Sequence, residues 1–231
     1  MIQKTIHWTA KNGDDAYDFN EEIIIHPLNI GIVIINCPGA GGNIDGYNNK
    51  YVTLADYMVS QNLGAVVRMS DPYNPFGWDK KLRQVMTYAL ENSKDICGTD
   101  TPRVYLMGTS AGASAISLLA WEYPEVKKIL FLEPAAMSNK RLLQECLEKY
   151  TGEIVVVTGS PGEALGIEMG RFFIDASMHA SRKEIFELKD CDHNFRGVRN
   201  GRVFSQAPFY AFSDSPQVPF PDYGGGIVLY E

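Results

Sequence analysis

Cysteine and histidine are scarce, with four of each in 231 residues, and both shortages narrow the chemistry open to the chain. Cys37, Cys97, Cys146 and Cys191 are widely scattered with no C-x-x-C pair, which fits neither a disulfide scaffold nor a zinc site. They are expected as free thiols, mostly filling core. No ligand cluster for a metal or cofactor is evident, and none is expected. No stretch approaches the roughly 18 apolar residues of a membrane span, and Met1-Ile2-Gln3-Lys4-Thr5-Ile6-His7 lacks the apolar run of a secretory signal. The expected compartment is therefore the cytoplasm, with no membrane partner. Positive charge is short as well: 21 Lys+Arg against 28 Asp+Glu leave a net charge of −7, with no basic cluster longer than Lys80-Lys81 or Lys127-Lys128. That argues against a nucleic-acid partner.

What is present is apolar residue, at 45% of the chain, with 11% aromatic. This is enough to form a sizeable core and to argue against wholesale disorder. One domain over residues 1–231 is expected, with a core at about 30–197 and an irregular tail at about 205–231 marked by Pro208, Pro216, Pro219, Pro221 and Gly224-Gly225-Gly226. Strand-like runs alternate with helix-like spacing. The strands are 31–35, 64–68, 104–107, 129–132, 154–157 and 184–188. The helical faces are Tyr51/Leu54/Ala55/Met58, Leu82/Val85/Met86/Ala89 and Leu165/Met169/Phe172/Phe173/Ala176. Such alternation predicts an α/β fold with a mostly parallel sheet. Lys4 to Trp8 and Glu21 to Ile25 read as an antiparallel pair on its edge.

The most informative string is Gly108-Thr109-Ser110-Ala111-Gly112. It follows a buried strand and opens a helix rich in small residues, the setting in which G-x-S-x-G lifts a nucleophilic serine above the sheet. Read plainly, Ser110 is the N-cap of an ordinary strand-to-helix turn. A glycine-dense loop, Asn36-Cys37-Pro38-Gly39-Ala40-Gly41-Gly42-Asn43, follows the first parallel strand. Its backbone N–H groups would lie at the same sheet edge as Ser110, where they could hold a developing oxyanion. A phosphate cradle is the other reading, but neither G-x-G-x-x-G nor G-x-x-x-x-G-K-[ST] is completed. Among the histidines, His193 follows the last strand within a few residues and so lies at the edge where open α/β sheets build their sites. His7, His26 and His179 read as surface or structural residues.

Taken together, these residues resemble the α/β-hydrolase superfamily over about residues 30–197: Ser110, then an acid, then His193, with a Gly39-Ala40-Gly41-Gly42 oxyanion-type loop and an Asp192-His193-Asn194-Phe195 ending. The small layout, without room for a lid, is similar to dienelactone-hydrolase-like and carboxylesterase-like proteins. The resemblance implies a three-layer sandwich and a serine hydrolase that cleaves a small ester, with thioesters or amides also open, through an acyl-enzyme. In it Ser110 is the nucleophile, His193 the base, and the N–H groups of Ala40 and Ala111 the oxyanion donors. Pro38 departs from the family's usual histidine.

The acid has two candidates. Glu163, after the strand 154–157, occupies the commoner position one residue late, in Gly159-Ser160-Pro161-Gly162-Glu163, and is preferred. Glu133, at the end of the preceding strand, is the alternative. A second reading from a different class is a catalytically silent α/β-hydrolase fold that binds a partner. Tyr47, Tyr73, Phe76, Trp78 and Phe195 are expected to rim the pocket, unless they cap the core under long loops. Arg68 is expected either to meet a substrate carboxylate or to pair with Asp71.

Overall fold

The computed structural model describes residues 1–12, 15–159, 165–214 and 227–230. Its centre is a nine-stranded sheet: β1 (Ile2–Asn12), β2 (Asp15–His26), β3 (Ile32–Cys37), β4 (Ala65–Met69), β5 (Arg103–Thr109), β6 (Val126–Leu132), β7 (Glu153–Thr158), β8 (Arg182–Leu188) and β9 (Ile227–Tyr230). The spatial order is β1-β2-β4-β3-β5-β6-β7-β8-β9. From β4 to β8 every pairing is parallel, while β1/β2, β2/β4 and β8/β9 are antiparallel. The β1/β2 pair is longer than the sequence suggests, and β2 enters the sheet through Ile23 to His26 beside β4.

The central strands are apolar on both faces because both are covered. In β3, Ile32 and Ile34 face one layer while Val33, Ile35 and Cys37 face the other. The first layer holds α1 (Lys50–Ser60) and α7 (Val198–Phe212). The second is built from α2 (Lys80–Glu91), α3 (Ser93–Cys97), α4 (Ala111–Leu119), α5 (Lys140–Leu147) and α6 (Ile167–Ala176). The buried residues of α1 are Tyr51, Leu54, Ala55 and Met58, and those of α2 are Leu82, Val85, Met86 and Ala89. These are the quartets that the apolar spacing marks. All four cysteines are free and buried.

The expected irregular tail is corrected in part. Residues 198–212 form a 15-residue helix, α7, with Pro208 inside it, and residues 227–230 form β9. Gly197, Gly201 and Pro208 read as breakers. Nonetheless, Asn200, Val203, Phe204, Ala207, Pro208, Ala211 and Phe212 recur at helical spacing and are buried, so burial overrides local propensity. Lys128, almost fully buried on β6, fixes the far end of α7 by donating to the carbonyls of Phe212 and Ser213 and to Asp214. Helices α3 and α5, not expected from the sequence, complete the second layer.

Candidate active site

The carboxyl ends of β3, β5 and β8 converge on one cleft, with the end of β6 buried behind it. Between β5 and α4 the chain turns sharply at Ser110, whose backbone has φ +52° and ψ −117°. A non-glycine residue there carries roughly 1–3 kcal/mol of strain and persists only where neighbours hold it. They do: the Ser110 N–H donates to the Leu132 carbonyl at 3.0 Å, and its own carbonyl accepts from Ala113 and Ala135 at 3.0 and 3.1 Å. Close approach requires glycine both beside Ser110 and in the facing loop. A Cβ at Gly112 would lie 2.2 Å from the Cys37 carbonyl oxygen, and one at Gly39, in the glycine loop, would lie 2.9 Å from Cβ of Ser110.

The glycine loop is held from the end of β4. The Gly41 N–H donates to Asp71 Oδ2 at 2.5 Å, and the Asp71 N–H donates to the Gly42 carbonyl at 2.8 Å. Arg68 Nη1 donates to the Ile44 carbonyl and to Asp45 Oδ1, both at 2.7 Å. Thus Arg68 neither reaches the cleft nor pairs with Asp71. It is buried, and its Nε–H donates to His26 Nε2 at 3.1 Å, while His26 Nδ1 lies 2.9 Å from Asp56. A ring that accepts at Nε2 is the neutral tautomer with the proton on Nδ1. Burial, reinforced by the Arg68 guanidinium, holds the His26 pKa below its ordinary value against the opposing pull of Asp56. Ala40 lines the cleft, and Ala111, beside Ser110, is the first residue of α4.

His193 lies in the loop after β8. That loop is shaped by the Asp192 carboxylate, which accepts from the N–H groups of Asn194 and Arg196 at 3.0 and 2.9 Å. The side chain of His193 is partly exposed on the cleft. Its Nδ1 is buried, lies 3.7 Å from Oε2 of Glu133, and has no hydrogen-bond partner among the described residues. Glu133 follows β6 directly, with φ +47°, and is fully buried. A buried carboxylate is costly unless hydrogen bonded. Here the Gly159 N–H donates to Oε1, the Thr158 hydroxyl donates to Oε2 at 3.5 Å, and the Glu133 N–H donates to the Val157 carbonyl at 2.8 Å. The structure therefore brings Ser110, His193 and Ala40 to one cleft, with Ala111 buried beside Ser110 at the start of α4 and Glu133 behind the histidine. Glu163 lies outside the described residues. Two thiols flank the site: Cys37 at the base of the glycine loop, and Cys191, which burial and then the Glu133 charge push up to about 12.

The cleft measures about 350 Å³. Of the five aromatics expected at its rim, Tyr47 lines it and is largely exposed. Phe76 instead packs against Tyr17 and Phe19 of the β1/β2 pair, and Tyr73 packs on Trp78. Phe195 is buried against Phe204 of α7. Lys50 and Tyr51 also line the cleft. Nothing in the spacing of the sequence marks Lys50 as a site residue or Asp71 as a brace of the glycine loop, and the substrate or Asp71 contact expected of Arg68 gives way to the bonds above, because these roles depend on which strands become neighbours. Among the described residues no three His, Cys, Asp or Glu side chains converge as a metal site requires, and no helix is long and apolar enough to cross a membrane.

No family profile and no curated protein sequence matches the chain. Solved structures do. The esterase domain of a Rhodothermus marinus protein is 16% identical, with a TM-score of 0.61 over 89% of this chain and 95% of that one. A dienelactone hydrolase from Anabaena variabilis is 16% identical, with a TM-score of 0.58 over 91% and 99%. An esterase from Pyrococcus furiosus is 11% identical, with a TM-score of 0.63 over 92% and 94%. The likeness runs through almost the whole length of each, and with the strand order and the turn at Ser110 it establishes that this chain has the α/β-hydrolase fold.

Proposed function

We propose that the protein is a serine hydrolase that cleaves a small ester, with thioesters and amides open to the same acyl chemistry. The observation that carries this reading is the strained turn at Ser110, set in one cleft with His193, whose Nδ1 faces the buried Glu133 carboxylate. Ser110 Oγ attacks the carbonyl carbon as His193 Nε2 takes its proton. The proton then passes to the leaving alkoxide, which departs as an alcohol and leaves an acyl-serine. Water, deprotonated by the same nitrogen, releases the acid and restores Ser110. Glu133 holds the Nδ1–H tautomer and stabilises the imidazolium. The N–H groups of Ala40 and Ala111 stabilise the oxyanion, each contributing about 3–4 kcal/mol in the transition state. Catalytic apo sites commonly tighten only when substrate binds, so 3.7 Å between His193 and Glu133 is compatible with this role.

The test is labelling by a fluorophosphonate probe together with turnover of p-nitrophenyl acetate. The parent is labelled and turns over, whereas Ser110→Ala, folded by circular dichroism, does neither. A folded parent that takes no label and hydrolyses nothing on an ester panel is instead the silent, partner-binding form of the fold. Comparing Glu133→Gln with Glu163→Gln assigns the acid.

A further inference from the structure

Beside the cleft lies a second hollow of about 430 Å³, between α1 and α7. The two share Lys50 and Asn194 in their walls, so they adjoin at those side chains. They differ in character. The cleft is walled by glycine-loop backbone, Ser110 and His193. The hollow is walled by Leu54 and Tyr57 of α1, by Phe204 of α7, and by Phe195 of the loop that carries His193. At the junction the Lys50 ammonium lies 5.0 Å from the Tyr51 ring on the cleft side and 5.1 Å from the Phe204 ring on the groove side.

Gly201 also lines this groove, inside α7. A Cβ built there meets nothing within 4 Å, so no packing contact requires glycine. Its N–H makes an ordinary helical bond to the Gly197 carbonyl at 2.9 Å. Glycine in a helix interior is destabilising relative to alanine, and what its smallness provides at this position is open volume in the groove.

Resting on the hydrolase reading above, we infer that the groove between α1 and α7 is the subsite for an apolar arm of the substrate, a medium-length alkyl chain or an aryl group joined to the ester, with Gly201 as the residue that sets its length. An ester bound at Ser110 with its arm past Lys50 buries that arm against Leu54, Tyr57, Phe195 and Phe204. Phe195 is two residues from His193, so a filled groove presses on the loop that carries the base. Part of the binding energy of the arm is then expressed in the chemical step, and the gain falls on kcat as well as on KM.

The experiment compares the parent with Gly201→Leu, using Gly201→Ala as a smaller obstruction that the helix accepts readily. On p-nitrophenyl esters from acetate to octanoate, kcat/KM of the parent rises about fourfold per methylene, the gain expected from burying each one. Gly201→Leu lowers the octanoate-to-acetate ratio by about tenfold or more, and Gly201→Ala lowers it less, with thermal midpoints at or above that of the parent. Independently of turnover, sodium octanoate binding by calorimetry weakens about tenfold in Gly201→Leu. An unchanged ratio together with unchanged octanoate binding in Gly201→Leu overturns the subsite, as does a parent that hydrolyses esters without chain-length preference and binds no octanoate. If the parent hydrolyses no ester yet binds octanoate in a Gly201-dependent way, the hydrolase reading fails and the groove stands.

Discussion

The two halves of the candidate site are built to different standards. On the nucleophile side, three backbone hydrogen bonds fix Ser110 in a strained conformation, and Asp71 and Arg68 hold the glycine loop at several points. On the side of His193, the loop is shaped mainly by the side chain of its own Asp192, and the imidazole stands 3.7 Å from the Glu133 carboxylate. A preorganised oxyanion site needs the first kind of construction, because donors that must move lose most of their electrostatic advantage. A base that shuttles protons between two oxygens tolerates the second. The adjustable half is also the half that touches the apolar groove.

Mutations of graded severity can break or sharpen this contrast. The largest effect belongs to His193→Ala, expected to lower kcat on p-nitrophenyl acetate by about 10⁶, since nucleophile and base act as one unit. His7→Ala and His179→Ala should stay within a few-fold of the parent; an inactive His179→Ala would mean that the base half has been misplaced. Next is Glu133→Gln, expected to cost about 10²–10⁴ in kcat while the protein still unfolds cooperatively. A loss there below tenfold, beside a large loss in Glu163→Gln, would move the acid to the other residue.

Asp71→Ala releases the Gly41 N–H and loosens the glycine loop, and its expected cost of about 10–10² in kcat is a fraction of what losing an oxyanion donor costs. Should Asp71→Ala prove harsher than Glu133→Gln, the rigid half would depend on one side chain rather than on many bonds. The smallest effect concerns His26, which braces Arg68. Its folded pKa is lowered relative to the unfolded chain, so the neutral ring contributes stability that is complete above about pH 6.5 and is lost as pH falls through the folded value. Urea midpoints should therefore drop between pH 7 and pH 5, and His26→Gln should flatten that slope. A slope identical to the parent's would remove His26 from this role.

Much of this architecture is legible in the sequence, because burial on both faces writes continuous apolar runs and burial on one helix face writes a spacing. The α1 and α2 quartets are examples, as is the small-residue turn around Ser110. The α7 helix is harder to read, since its buried stripe is interrupted by residues of poor helix propensity. Site residues that depend on strand order are not legible at all. Arg68 at the end of a strand reads as a partner for a substrate carboxylate or for Asp71 until β2 is laid beside β4 and His26 covers it. Nothing in the string ranks Glu133 above Glu163 either, because the approach of Glu133 to His193 follows from the register of β6, β7 and β8.

The buried thiols have a redox consequence. Burial raises the pKa of all four cysteines, including Cys37 beneath the glycine loop and Cys191 behind Glu133. At neutral pH almost none is thiolate, the form that peroxide oxidises and alkylating reagents trap. The proposed reaction at Ser110 is thereby insulated from the oxidation state of its surroundings, with Cys37 at the end of β3 before the glycine loop and Cys191 in the loop that carries His193. Incubation with iodoacetamide or mild peroxide should leave serine labelling intact in the folded protein, and the same reagents should modify the cysteines only once the chain is unfolded.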